Sequence, residues 1–244
     1  MKTEMIIVNK VSQIFKVPEE RNKFTALHDV SFQVPAGQFV SLIGPSGCGK
    51  STLLRAIAGL DKPSHGTIEN NAKTLAMVFQ NFALFPWLTV LDNVAFGLKM
   101  SGVSKEERKN RAMVHINDVG LTGFENKHPH ELSGGMRQRV GIARALTVSP
   151  DLLLMDEPFS SLDEFTAEKL RADLARLWEK YKMTVLMVTH LVTEAVELSD
   201  TVVIMSARPG TVKKTVHITL PRPRAKRSQE YYDLVDQITA EIDH

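Results

Sequence analysis

The chain has 244 residues, 43% of them apolar and 24% charged, which suits a folded globular protein and excludes wholesale disorder. Lys plus Arg number 30 against 28 Asp plus Glu, a formal net charge of +2, so no global field draws the chain to nucleic acid or anionic lipid. The one cysteine, Cys48, excludes an intrachain disulfide and a four-thiolate metal site, and it fits a reducing compartment.

The length predicts one large domain with a small appendage. A membrane-spanning helix needs about 20 consecutive apolar residues. The apolar stretches here, such as Leu152 to Met155 and Thr184 to Val188, end within a few residues. The run from Met1 to Lys10 has too short an apolar core for a secretory signal. The expectation is a cytosolic chain whose membrane role, if any, comes through a partner.

The first third reads as strands. Ile6 to Val8 begins one, and Val30 to Val34 alternates apolar and polar as a half-buried strand does. Pro35-Ala36-Gly37 is a turn signal. Gln38 to Ile43 is a β-prone run that ends in a glycine-rich loop, and Lys50 to Leu60 suits a helix with Gly59 near its end. The middle third reads as helices. Ser104 with Glu107 forms a capping box ahead of Glu106 to Val119, and a second helix starts after Ser133.

The last third alternates strand and helix, as βαβ units do. Asp151 to Met155 is a continuous apolar strand, buried on both faces of a parallel sheet. Leu170, Leu174, Leu177 and Tyr181 share a helical face. Thr184 to Thr189 and Thr201 to Met205 are further buried strands. Ala207-Arg208-Pro209-Gly210 is a turn before an exposed strand. Pro221 to Arg227 reads as a basic, solvated linker, and Gln229 to Ile242 as a terminal helix with Tyr232, Leu234, Val235 and Ile238 partly buried.

Three segments carry chemistry. Gly44-Pro45-Ser46-Gly47-Cys48-Gly49-Lys50-Ser51 matches G-x-x-x-x-G-K-[ST] between a strand and a helix. Its glycines let backbone N–H groups turn inward around phosphate oxygens, and the helix offers its positive end to the same anion. Lys50 supplies a mobile charge for β- and γ-phosphates, and the Ser51 hydroxyl suits Mg²⁺. The second segment is Leu152 to Pro158, where Asp156 emerges at the carboxyl end of a buried strand and Glu157 follows. Asp156 can serve the Mg²⁺ shell, and Glu157 can polarise a water. The third is Leu132-Ser133-Gly134-Gly135-Met136-Arg137-Gln138, a capped helix start with uncovered N–H groups and so a second phosphate site. Taken singly, each has a blander reading: a glycine turn, an acidic helix start and a capped helix.

In this order the segments resemble the P-loop, Asp-Glu strand and signature motif of ATP-binding cassette (ABC) proteins. Gln80 resembles the family's Q-loop glutamine, Ser161-Leu162-Asp163 its D-loop and His190 its switch histidine. Phe15 stands where the family places an adenine-stacking aromatic. The resemblance covers roughly residues 4 to 220. It implies an α/β fold, with a P-loop ATPase core of mostly parallel sheet and an N-terminal antiparallel β subdomain. A helical subdomain at about residues 81–148 carries the signature, and a linker and helix follow at 221–244.

The resemblance also implies roles. ATP meets Phe15, the loop from Gly44 through Lys50 and Ser51 to Thr52, and, from a second copy, Ser133, Gly134, Gly135, Gln138 and Asp163. Ser51, Gln80 and Asp156 hold Mg²⁺, and Glu157, His190, Lys50 and Gln80 serve hydrolysis. The implied assembly is a homodimer with two ATP molecules between its copies, on the cytoplasmic face of the membrane. Permease subunits dock near Gln80 to Leu88, and a periplasmic or extracellular solute-binding protein takes part indirectly. The apolar run Phe82 to Leu88, followed by a helix-like Val90 to Met100, reads as part core and part groove for a permease helix.

Phe85-Pro86-Trp87, Met205 to Gly210 and Leu220 to Arg224 resemble the nitrate/sulfonate/taurine class of importer ATPases, with the ATPase subunit of an export complex as the alternative. The chain departs from the family pattern twice. Gly66 to Val78 is short, as if a hairpin were trimmed, and Leu191 follows His190 where many relatives have Asp. Other classes are disfavoured. Soluble cassette proteins of DNA repair or translation usually carry two cassettes or a long coiled coil. A GTPase needs a guanine-reading Asn-Lys-x-Asp, which the chain lacks.

Overall fold

A computed structural model describes residues 3–16, 23–224, 226 and 228–243. Met1–Ala72 with Thr184–His244 forms one compact unit, and Lys73–Met183 forms a second.

The first unit holds strands of two sheets. Strands β1 (Glu4–Lys16), β2 (Lys23–Pro35) and β4 (His65–Asn70) pair antiparallel in the order β2-β1-β4. Both long strands outrun the segments expected from sequence. Alternation still governs the end of β2, where Val30, Phe32 and Val34 are buried and their neighbours exposed. The alternation breaks earlier because the register shifts near Val11, where Ser12 and the left-handed Asp29 bond to each other. β4 closes the sheet and the chain moves on, so the short Gly66–Val78 region forms one edge strand followed by the next parallel strand.

β3 (Phe39–Ile43) lies between β7 (Thr184–Thr189) and β8 (Thr201–Met205), parallel to both, and β9 (Val212–His217) adds an antiparallel strand to β8. β3, β7 and β8 are buried at every position, which is why they read as unbroken apolar runs. Helices α1 (Lys50–Ile57), α6 (Val192–Leu198) and α7 (Gln229–Asp243) complete the unit. The left-handed Gly59 lets the Leu60 amide donate to the Arg55 carbonyl at the end of α1.

The segment after β9 corrects the expectation of a solvated linker. Arg222 donates to Asp200 at 2.5 Å and to the Leu198 carbonyl at 2.6 Å. Arg224 is 8% exposed and donates to the carbonyls of Val196 and Ser199. The last carbonyls of α6 lack intrahelical partners, and these guanidinium groups satisfy them. Burial, helped by the neighbouring Arg222 charge, lowers the Arg224 pKa to about 10. Ala225 and Arg227 lie outside the described residues. In α7, Tyr231 and Ile238 are buried against Ala195, Val196 and Ile204, and Leu234 and Val235 pack beside them. Tyr232, expected to pack, is 51% exposed.

The second unit pairs β5 (Leu75–Val78) parallel to β6 (Leu152–Asp156) and adds α2 (Val90–Met100), α3 (Lys105–Asp118), α4 (Gly134–Thr147) and α5 (Glu164–Tyr181). Ser104 caps α3 by accepting from the Glu107 amide, one half of the expected capping box, and Leu170, Leu174 and Leu177 form a buried stripe on α5 with Tyr181 half-buried beyond them. Among the described residues no helix is long and apolar enough to cross a membrane.

Candidate nucleotide-binding site

In the first unit, Gly44 to Gly49 leaves the carboxyl end of β3 and opens α1. Gly47 and Gly49 have φ values of 74° and 99°, and a Cβ on Gly49 would lie 2.6 Å from a Leu27 methyl. The loop can therefore coil tightly only with glycine there. Gly49 caps α1 with no side-chain hydrogen bond, which leaves the amides of the first turn directed at the loop. Lys50 is 5% exposed, and its ammonium donates to the carbonyls of Gly44 at 2.8 Å and Pro45 at 3.0 Å. Ser46, Gly47 and Ser51 are exposed, Pro45 and Thr52 half-buried, and Cys48 buried as a packed thiol.

Ile43 and Thr189 are register partners in the parallel pair β3–β7, so His190 emerges one strand away from Gly44 at the same sheet edge. His190 is exposed. Leu191 offers no side-chain cap to α6, and the Thr189 side chain instead links the N-cap residue to Glu194 in the first turn. Its hydroxyl donates to Glu194 at 2.5 Å and accepts from the Leu191 amide at 3.1 Å. Glu194 is 3% exposed, and sequence reasoning missed it because its partner is buried in a strand. Phe15 is 41% exposed near the end of β1, an open aromatic face.

In the second unit, Asp156 stands half-buried at the carboxyl end of β6, and Glu157 follows in a left-handed conformation with φ 43°. That conformation is uncommon for a residue with a side chain and costs on the order of 1 kcal/mol. Gln80 follows β5 and donates to Glu157 at 3.4 Å and to the Ser160 hydroxyl at 3.3 Å. The structure thus brings together two sequence candidates that lie 77 positions apart.

Ser133 is exposed and caps α4 by accepting from the Met136 amide at 3.3 Å. A Cβ on Gly134 would lie 3.5 Å from a Leu162 methyl and one on Gly135 2.5 Å from the Thr166 methyl. The two glycines admit the segment around Asp163 to close packing. Asp163 is exposed and caps α5, and the Thr166 amide that it accepts, at 3.0 Å, lowers its pKa. Gln138 stands apart from the exposed Ser133. It is 0% exposed, with neither amide atom hydrogen-bonded, so it does not share the accessible face of Ser133.

The stretch after Gln80 is shaped by α4. Phe82 and Ala83 are both left-handed, with φ 59° and 46°. Arg144 holds both, donating to the Ala83 carbonyl at 2.6 Å and the Phe82 carbonyl at 3.0 Å, while Arg137 stands 5.6 Å over the Phe82 ring. Beyond it, the buried Asn93 binds Phe85, Leu88 and Thr89 through their backbones. Phe85 packs on Phe96 at 4.4 Å, and Trp87 is left 72% exposed.

A family model for ABC transporter proteins matches residues 27–160. The chain is 43% identical to the nitrate import ATP-binding protein NrtD of Synechocystis, over 91% of this chain and 89% of that one. It is 41% identical to the aliphatic sulfonates import ATP-binding protein SsuB of Bacillus cereus, over 98% of this chain and 96% of that one. A dimeric cassette structure solved after hydrolysis, bound to ADP and Pi, superposes with a TM-score of 0.77 at 35% identity. It covers 88% of this chain and 99% of that one. With that match, and with a buried lysine closing a glycine loop ahead of a helix, this chain belongs to the ABC transporter family.

Proposed function

We propose that the chain is the ATP-hydrolysing subunit of an importer that moves a small solute of the nitrate, sulfonate or taurine kind through a separate membrane permease. The observation that carries the ATPase reading is Lys50, whose buried ammonium already bonds inside the loop that a triphosphate would fill. The importer reading leans on relatives named for nitrate and sulfonate import.

In this reading Lys50 exchanges its carbonyl acceptors for β- and γ-phosphate oxygens, joined by backbone N–H groups of the loop after Pro45 and of the first turn of α1, and Phe15 takes the adenine face. Mg²⁺ would be held by the Ser51 hydroxyl, the Asp156 carboxylate and the Gln80 amide oxygen, each a hard oxygen donor of the kind it prefers. Bound there, it neutralises phosphate charge. Glu157 polarises the attacking water and His190 touches the γ-phosphate. Two copies close on two nucleotides, each offering Ser133, Gly134, Gly135 and the Asp163 segment to the other's ATP. The exposed Trp87 with Phe85 and Phe96 forms the apolar surface for a permease helix, beside a hollow of about 110 Å³ lined by Leu88, Phe96 and Arg108. This places the working subunit on the cytoplasmic face of the membrane, with a solute-binding protein acting indirectly through the permease.

Phosphate release and ATP affinity of Lys50→Ala test the reading. Loss of both supports it, and hydrolysis at the wild-type rate overturns it. Co-expression with a permease tests the partner: recovery in the membrane fraction should depend on it and should fall for Trp87→Ser.

A further inference from the structure

Arg208 lies in the turn after β8, 161 positions from the loop that it touches. Its Nε and Nη2 both donate to the Gly47 carbonyl, at 3.2 and 3.0 Å. Its guanidinium carbon stands 4.2 Å from the centre of the Phe24 ring. Phe24 is the register partner of Phe15 across β1 and β2, and the two rings stack at 6.5 Å with 24° between their planes. One side chain therefore meets the phosphate loop through two N–H donors and the aromatic ladder through its charge over the Phe24 ring. A guanidinium presents two N–H donors on one planar group while its charge stands over the ring; an ammonium offers only a point charge without that paired edge.

The turn holding Arg208 is itself fastened. The Gly210 amide donates to the Ala26 carbonyl and the His28 amide to the Gly210 carbonyl, each at 2.9 Å. A Cβ on Gly210 would fall 2.0 Å from the Cys48 carbonyl oxygen, so the turn rests directly on the loop. Ser206 ties the turn from inside by accepting from the Thr211 amide at 2.9 Å.

We propose that Arg208 is a positioning residue for base recognition: it locks the Phe24–Phe15 ladder against the phosphate loop, so that a purine and its triphosphate meet their subsites at a set spacing. This rests on the reading that the loop takes ATP phosphates and Phe15 takes the base. Without Arg208 both subsites and the backbone ties of the turn persist, but the side-chain link that sets the Phe24–Phe15 rings against the loop is gone. The loss then falls on a ligand that uses both at once and spares one that uses the phosphate loop alone.

Affinities of the full chain for ATP and for inorganic tripolyphosphate, each with magnesium, test this in Arg208→Ala, Arg208→Lys, Phe15→Ala and the Arg208→Ala/Phe15→Ala double variant. Arg208→Ala should weaken ATP about fivefold, the scale of a cation–π contact, and change tripolyphosphate by less than about twofold. Arg208→Lys should be no better than the alanine variant. In the Phe15→Ala background the Arg208 change should cost nothing further. Equal losses for both ligands, or additive losses in the double variant, would reduce Arg208 to a brace for the loop and overturn the proposal. So would an unchanged ATP affinity in Arg208→Ala. Wild-type ATP affinity in Phe15→Ala alone would fail the underlying base-stacking reading, and the proposal with it.

Discussion

The side-chain amide of Gln80 donates to the Glu157 carboxylate at 3.4 Å, and the Ser160 hydroxyl that Gln80 also reaches donates to the Glu157 carbonyl at 3.0 Å. The side chain and the backbone of Glu157 are thus held by one small network at the end of β6. A strained residue kept in place by its neighbours is compatible with the role of base proposed for Glu157.

Glu157→Gln should keep ATP binding and lower hydrolysis at least about 100-fold, because the amide retains the shape of the side chain and loses its basicity. Gel filtration with ATP should then show a trapped dimer alongside absent phosphate release. A protein that stays monomeric with ATP would count against the two-copy arrangement.

Arg144→Ala leaves the Phe82 and Ala83 carbonyls without their shared donor, at two left-handed residues. A stability loss of about 1–3 kcal/mol is expected from urea denaturation. Arg144→Lys should recover little, since one ammonium cannot reproduce the fork to two carbonyls. Equal stability of wild type and the alanine variant would deny the clamp.

Gly135→Ala should be destabilising even though alanine is the better helix former, because its methyl would meet the Thr166 methyl at 2.5 Å. Thr166→Ser removes that methyl and keeps the hydroxyl. The double variant should recover most of the lost thermal stability, and failure to do so would place the cost elsewhere.

Asp118 sits between the ends of α3 and α5, where Lys180 donates to it at 2.6 Å and Tyr181 donates as well. Burial alone would raise its pKa, but these hydrogen bonds outweigh burial and lower it. A carboxylate with a depressed folded-state pKa contributes stability that is complete above its unfolded value and lost as the pH falls through the folded one. Burial also lowers the pKa of the neighbouring His115, so that group likewise favours the folded chain above its unfolded value and less so in acid. Asp118→Asn should therefore cost about 1–3 kcal/mol at neutral pH and flatten the fall in stability below about pH 4. An acid limb identical to that of wild type in denaturation curves would remove the assignment.

The glycine loop, the buried strand ending in Asp156 and the Ser133 cap were legible in sequence because each rests on neighbours a few positions away: a turn needing glycine, a run of apolar residues, a hydroxyl three places before an amide. The parallel strands beside them could be read for the same reason. What only the tertiary structure decided are pairings across long stretches of chain: Arg208 on Gly47, Arg144 on Ala83, Gly135 against Thr166, Arg222 on Asp200. Local patterning marks an arginine as soluble and a glutamine in a motif as accessible. It is the packing of α4 and α6 that buries Gln138 and Arg224, because whether a polar group faces water depends on what the rest of the chain brings against it.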